Sequence, residues 1–156
     1  TWTALENYKE KGVLKHIGVS NFGQKHLEKL FETARIRPCV NQIEVHPFLQ
    51  RRDLVAFCHK NDIIVEAYSP LAKARKLHDQ TVVGIALQHG VTPAQVLLAW
   101  SLAKGMVCLP KSAKPERQRE NLAAAHVVLS DEDIKALDGL DEHFLTGWDP
   151  VENDPV

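Results

Sequence analysis

Asn41-Gln42-Ile43-Glu44-Val45-His46-Pro47 is the stretch from which the fold can be read. Pro38 before it and Pro47 after it bound a strand over about Cys39 to Val45, because proline cannot donate to a ladder. Side chains alternate along a strand. Gln42, Glu44 and His46 therefore fall on one side, and Ile43 and Val45 on the other. Three polar groups on one strand face are costly to bury unless partners or a ligand satisfy them. The stretch predicts a strand that carries a polar site toward its C-terminal end.

Working outward, helix and strand patterns alternate on both sides. Upstream, Trp2, Leu5 and Tyr8 predict a helix that runs to Gly12. A short apolar strand, His16 to Val19, then ends in Ser20-Asn21. Leu27, Leu30, Phe31 and Ala34 follow at the spacing of a core-facing helix stripe. Downstream, Leu54, Phe57 and Cys58 mark a helix, and Ile63 to Ala67 a strand that ends at Tyr68-Ser69-Pro70. Two helices come next. The first bears Val82, Ile85 and Ala86 and stops near Gly90; the second starts on Thr92, Pro93 and Gln95, a capping box with proline at the first helical position. A fourth strand, Met106 to Leu109, runs into Pro110-Lys111-Ser112. Pro115 opens a helix through about Ala124, and Ser130 caps a last short one. Residues 147–156, acidic and with two prolines, read as an irregular tail.

Nearly all-apolar strands alternating with helices predict a parallel sheet covered by helices. Four strands are too few to close an eight-stranded barrel, which takes roughly 250 residues. An open doubly wound sheet fits the same pattern, although no GxGxxG follows the first strand.

Composition narrows the function. The 156 residues, 44% apolar and 25% charged, fit one domain with a sizeable core. Nineteen Lys and Arg against twenty Asp and Glu leave a net charge of −1, so no basic field draws nucleic acid or an anionic membrane. The apolar run around Val96–Ala103 is interrupted by Ser101 and falls short of the roughly 20 residues of a membrane span. No signal-peptide pattern opens the chain. Three scattered cysteines without CxxC, and eight histidines without HExxH, predict neither a disulfide framework nor a metal site. The expectation is a reduced, cytoplasmic protein. The chain begins at Thr1 inside a helical pattern, which reads as a fragment.

The polar side chains gather at the strand ends: Ser20 and Asn21; Gln42, Glu44 and His46; Tyr68 and Ser69; Lys111 and Ser112. In a βα barrel all strand C-termini open on one face, and that face carries the site. Each signal also has a plainer reading. Ser20-Asn21 suits a turn and helix cap, Tyr68 a core aromatic with a satisfied hydroxyl, and His46 a structural hydrogen-bonder. Arg117, Glu120 and Asn121, at i, i+3 and i+4, share one helix face. Lys111 and Ser112 precede that helix's N-terminus, where backbone N–H groups favour phosphate. A solvated charged face is the alternative.

Taken together, these segments resemble the C-terminal half of an aldo-keto reductase. The matching runs are Ile17 to Phe22, Asn41 to Pro47, Glu66 to Leu71, and Pro110-Lys111-Ser112 followed by Arg117, Glu120 and Asn121. Gly147-Trp148-Asp149-Pro150 also fits. The resemblance implies half of a (β/α)8 barrel, its fifth to eighth strands, spanning residues 1–156 with 147–156 as tail. It further implies an NADP(H)-dependent enzyme that reduces aldehydes or ketones. In that reading Ser20, Asn21 and Gln42 hold the nicotinamide carboxamide, and Tyr68 stacks on the nicotinamide ring. Ser69 and Leu71 lie along the pyrophosphate. Lys111, Ser112 and Arg117 hold the 2′-phosphate, and Glu120 and Asn121 contact the adenine end. Cations at a helix N-terminus suit a phosphate monoester, which favours NADPH over NADH. Trp148 is a candidate for the substrate pocket or for surface packing.

The chain departs from the family at Ala72-Lys73-Ala74, where a glycine is often found. Lys73 and Arg75 there read as pyrophosphate contacts or as solvent-facing charges. The family's catalytic Tyr, Lys, Asp and His belong to strands absent from these residues, so no catalytic residue is assigned. Implied partners are the missing N-terminal half or a second copy of the chain, whose strands would cover open sheet edges. Two alternatives are a noncatalytic half-barrel module that binds nucleotide or pairs with another chain, and a regulatory relative such as the potassium-channel β subunits.

Overall fold

A computed structural model of the chain describes residues 1–153. Four parallel strands, β1 (Val19–Ser20), β2 (Val40–Glu44), β3 (Ile64–Tyr68) and β4 (Val107–Leu109), stand in the order β1-β2-β3-β4. Helices α1 (Trp2–Glu10), α2 (Gln24–Phe31), α3 (Arg52–Lys60), α4 (Gln80–His89), α5 (Pro93–Ala103), α6 (Pro115–Ala123) and α7 (Asp131–Asp138) precede, separate or follow them. β1 pairs with β2 in the register Val19 to Asn41 and Ser20 to Gln42. It is shorter and later than the apolar run His16 to Val19 predicts. Regular pairing is confined to Val19 and Ser20, although the Cys39 N–H still reaches the Ile17 carbonyl at 3.0 Å.

The expected irregular tail needs a correction. Pro150–Asn153 forms a short helix, α8. The Asp149 side chain accepts the Val151 N–H at 3.0 Å, and proline stands at the first helical position, so Asp149-Pro150 is a helix start. Residues 154–156 of that tail lie outside the described residues.

Length alone fits one domain, but the described residues group into two compact units. Of these residues, the first holds Thr1–Ile43, Arg52–Glu66 and 149–153; the second holds Glu44–Arg51 and Ala67–Trp148. In the first, Ile17, Leu27, Ile43, Leu54, Cys58, Ile63 and Val65 are buried. Each large apolar side chain contributes about 1.5–3 kcal/mol by leaving water. Phe31 stacks on Phe57, and the Arg37 guanidinium lies 4.3 Å from the centre of the Phe31 ring. The Glu6 carboxylate is buried and accepts the backbone N–H groups of Arg35 and Ile36 at 2.7 and 2.9 Å. The Ile36 and Arg35 N–H groups and the Arg35 side chain hold its carboxyl below the usual range, against burial, which pushes it up.

In the second unit α5 is buried all round from Val96 to Ser101. Its capping box forms as the sequence predicts: Thr92 accepts the Gln95 N–H at 3.3 Å, and Gln95 accepts the Thr92 N–H at 3.0 Å. α4 ends where Gly90 turns left-handed at φ 64°. The Trp100 indole and Lys104 ammonium both donate to Asp138, at 2.8 and 2.6 Å, joining α5 to α7. Among the described residues no single helix is long and apolar enough to cross a membrane.

Candidate cofactor site

The first unit contributes Ser20, Asn21 and Gln42. The Ser20 hydroxyl and the Asn21 N–H both donate to the Gln42 carbonyl, at 3.0 and 2.9 Å. Asn21 is left-handed at φ 59°, a conformation that asparagine adopts more readily than most residues. Gly18 precedes this turn where the chain runs against β2. A Cβ there would lie 2.8 Å from the Val40 carbonyl oxygen, so the close approach requires glycine.

Two residues that fix this corner were not singled out from the sequence. Asn41, wholly buried, donates to the Phe22 carbonyl at 2.7 Å and accepts the Phe22 N–H at 3.4 Å, clamping the turn from behind. Glu66 accepts the Gln42 side-chain amide at 3.0 Å. That bond points the amide nitrogen at Glu66 and leaves the amide oxygen for another donor. Only the neighbourhood of β2 and β3 could have exposed it.

In the second unit Tyr68 ends β3 half-buried, followed by Ser69 (φ 49°) and the half-buried Leu71. The chain then makes a turn in which Ala72, Lys73 and Ala74 have φ of 47°, 50° and 62°. Three consecutive left-handed residues without a glycine are strained. At Ala72-Lys73-Ala74 the chain thus holds, without a glycine, a backbone conformation that glycine adopts most readily. Lys73 donates to the Thr146 carbonyl at 3.1 Å.

Lys111 is exposed before α6. The Ser112 hydroxyl accepts the Lys114 N–H at 3.1 Å, and Gln118 donates to the Ser112 carbonyl at 2.8 Å, shaping the approach to the helix. No side chain caps the N-terminus of α6, and Arg117 in its first turn is exposed. Glu120 and Asn121 are half-buried. The Thr92 hydroxyl donates to the Glu120 carboxylate at 2.6 Å, and the Gln95 side chain to the Glu120 carbonyl at 3.1 Å, docking α6 on the start of α5. Asn121 borders a groove of about 450 Å³, mostly apolar, with Leu98, Met106, Cys108 and Leu122. Trp148 is 67% exposed.

His46 is wholly buried, with its ring near those of Phe48 and Phe144 and its Nε2 3.5 Å from Glu44. Glu44 accepts the Thr146 N–H at 3.2 Å. Burial pushes the Glu44 carboxyl up, but the His46 ring and Thr146 outweigh it and hold it below the usual range. The polar face of β2 is satisfied from within the protein at Glu44.

Residues 1–142 match the model of the aldo/keto reductase family. An aldo/keto reductase of Synechocystis, slr0942, is 44% identical over 92% of this chain and 48% of its own length. The glycerol 2-dehydrogenase (NADP(+)) of Hypocrea jecorina is 45% identical over 88% of this chain and 45% of its own. The crystal structure of a Gox0644 mutant in complex with NADPH superposes with a TM-score of 0.92 at 42% identity, covering 96% of this chain and 56% of that one. The chain spans about half the length of the curated relatives it matches. Its parallel strands and intervening helices form an α/β fold consistent with half of a barrel. The order and spacing of the motifs, the strand topology and the match over residues 1–142 agree, and the chain belongs to the aldo/keto reductase family.

Proposed function

We propose that this chain supplies cofactor contacts to an NADP(H)-dependent enzyme that reduces aldehydes or ketones to alcohols. The observation that carries the reading is the amino end of α6. It has no side-chain cap, and Lys111, Ser112 and Arg117 stand in and before its first turn. Free backbone N–H groups beside two cations suit a dianionic phosphate monoester. That is the feature by which NADPH differs from NADH. The relatives named for NADP(+) and crystallised with NADPH support the same cofactor.

The donor set elsewhere fits the rest of the cofactor. Ser20, Asn21 and the Gln42 amide oxygen, left open by the Glu66 bond, suit a carboxamide. Tyr68 would offer its ring face to the nicotinamide, Ser69 and Leu71 would flank the pyrophosphate, and Glu120 and Asn121 would border the adenine. When bound, the cofactor supplies hydride to the carbonyl carbon. The alkoxide that develops needs a proton donor, which this reading assigns to a tyrosine outside these residues; the chain alone would bind cofactor without reducing a carbonyl.

The remaining half of the barrel is the proposed partner. β1 and β4 are the end strands of the order, and Ile64, Val107 and Leu109 are exposed by 49%, 44% and 38% although they lie within strands. Apolar strand residues and open edges of this kind are normally covered. A second copy of the chain would cover the same edges, which favours a pairing module as the second reading. A cytoplasmic location belongs to the same proposal, supported by the three free cysteines Cys39, Cys58 and Cys108. Titrating the chain with NADPH and NADH tests the cofactor assignment. Arg117→Ala should weaken NADPH on the order of tenfold or more while leaving NADH nearly unchanged, and equal loss for both would overturn it.

A further inference from the structure

The segment Glu142–Thr146 has little regular structure, yet it is fastened on two sides within the second unit. On one side are the residues that follow β2. The Glu142 and Phe144 N–H groups donate to the Phe48 carbonyl at 3.3 and 2.8 Å, and the Thr146 N–H donates to Glu44. On the other side is the turn that follows β3. Lys73 donates to the Thr146 carbonyl, and Lys76 pairs with Glu142 while lying 4.6 Å from the centre of the Phe144 ring. Thr146 is the node: buried, its N–H rests on an anion and its carbonyl on a cation.

The turn itself has a conformation that its sequence does not favour. Ala72, Lys73 and Ala74 are all left-handed, and such residues persist only where the surroundings over-determine them. Here Ala72 is wholly buried and Lys73 is tied to Thr146. The fastening therefore works both ways. The turn positions the segment, and the segment helps to hold the turn in its strained form.

We propose that Lys73, Thr146 and Glu44 form a latch that couples the left-handed turn after Leu71 to the segment leading to Trp148. Lys73 is then a positioning residue that does not touch pyrophosphate. Tyr68, Ser69 and Leu71 lead directly into the turn, and Trp148 stands two residues beyond Thr146. Resting on the cofactor reading, the consequence is that a ligand on Tyr68–Leu71 steadies the turn and, through the latch, the segment that bears Trp148.

Hydrogen exchange of the full chain tests the latch without any ligand. Lys73→Met keeps the aliphatic stem and removes the donor, and it should speed exchange of the Phe144 and Thr146 amides by on the order of tenfold. Lys73→Arg should restore protection. Glu44→Gln should speed exchange of the Ala74 and Arg75 amides, which lie on the far side of Thr146. Effects confined to the substituted side would overturn the latch. Addition of NADP+ supplies the second arm. Protection at both 68–75 and 142–148 in the wild type, lost at 142–148 in Lys73→Met, supports the coupling. Protection at 68–75 alone overturns it. Protection nowhere overturns the cofactor reading and the ligand coupling with it, while the ligand-free arm still decides the latch.

Discussion

Thr92 does two jobs with one hydroxyl, and removing it gives the sharpest test of how α6 is held. The oxygen accepts the Gln95 N–H at 3.3 Å as the cap of α5, and the hydroxyl proton goes to the Glu120 carboxylate at 2.6 Å. Loss of a threonine cap costs about 1 kcal/mol, within a range of about 0.5–2. A hydrogen bond to a charged group contributes about 1.5–3 kcal/mol, and half-burial places this one toward the lower end. Thr92→Ala should therefore cost about 2–3 kcal/mol. For a chain of 156 residues each kcal/mol lowers Tm by about 2–4 °C. The expected fall is about 5–10 °C in a thermal melt. Thr92→Ser keeps both roles and should stay within about 1 kcal/mol of wild type. In a double-mutant cycle Thr92→Ala and Glu120→Ala should show a coupling of about 1–2 kcal/mol, since the two groups are in direct contact. A coupling near zero would refute the claim that this bond docks α6, even if the cap loss alone lowered Tm.

Two further outcomes follow from backbone space and from charge. Gly18→Ala should destabilise by about 1–3 kcal/mol in urea unfolding, because its Cβ meets the Val40 carbonyl at 2.8 Å and a backbone must move; Gly84→Ala inside α4, with nothing within 4 Å, should stabilise by about 0.5–1 kcal/mol, and two changes of the same sign would contradict this reading. Asp133 accepts the Ser130 N–H and hydroxyl, each at 2.9 Å, and pairs with His89 at 2.8 Å. Burial raises its carboxyl, but these partners outweigh burial and hold it below the usual range. A depressed folded pKa means that its stabilisation is complete above the unfolded value of about 4 and is lost as pH falls through the folded one. The stability difference between wild type and Asp133→Asn should accordingly shrink as pH drops from about 5 to 2, and a difference independent of pH would count against the assignment.

The local signals in this sequence were strong, and they carried the fold. Thr92-Pro93 with Gln95, Ser130 before α7, and Pro115 as the first residue of α6 each start a helix where the sequence predicts. Alternation in Asn41–Val45 predicts a strand with Ile43 and Val45 on one side; β2 forms there, and both side chains are buried. The errors fell where a local signal has two readings. His16 to Val19 looks like a strand because it is apolar, but pairing is set by where β2 begins, and only Val19 and Ser20 find partners. Residues 147–156, which contain Asp149-Pro150, read as an acidic, proline-broken tail. The same pair is an N-cap and first helical residue, and here that role won.

The site divides along the same line. The residues that sequence reasoning named, Ser20, Gln42, Tyr68, Lys111 and Arg117, stand at strand ends or in a helix's first turn, where position along the chain is enough to find them. The residues that hold them do their work across the chain. Asn41 reaches Phe22 over 19 positions, Glu66 reaches Gln42 over 24, Thr92 reaches Glu120 over 28, and Glu44 reaches Thr146 over 102. Periodicity cannot report such pairs, because each partner looks ordinary in its own segment, and Phe22 and Thr146 take part through their backbones. The physical signal that could have raised them is cost: Asn41 and Glu44 lie within an apolar strand that buries them, and a buried polar group requires a partner. The partners themselves, the Phe22 backbone and the Thr146 N–H, are set by the fold. Those partners separate a strand end that merely carries polar residues from one that fixes them in place.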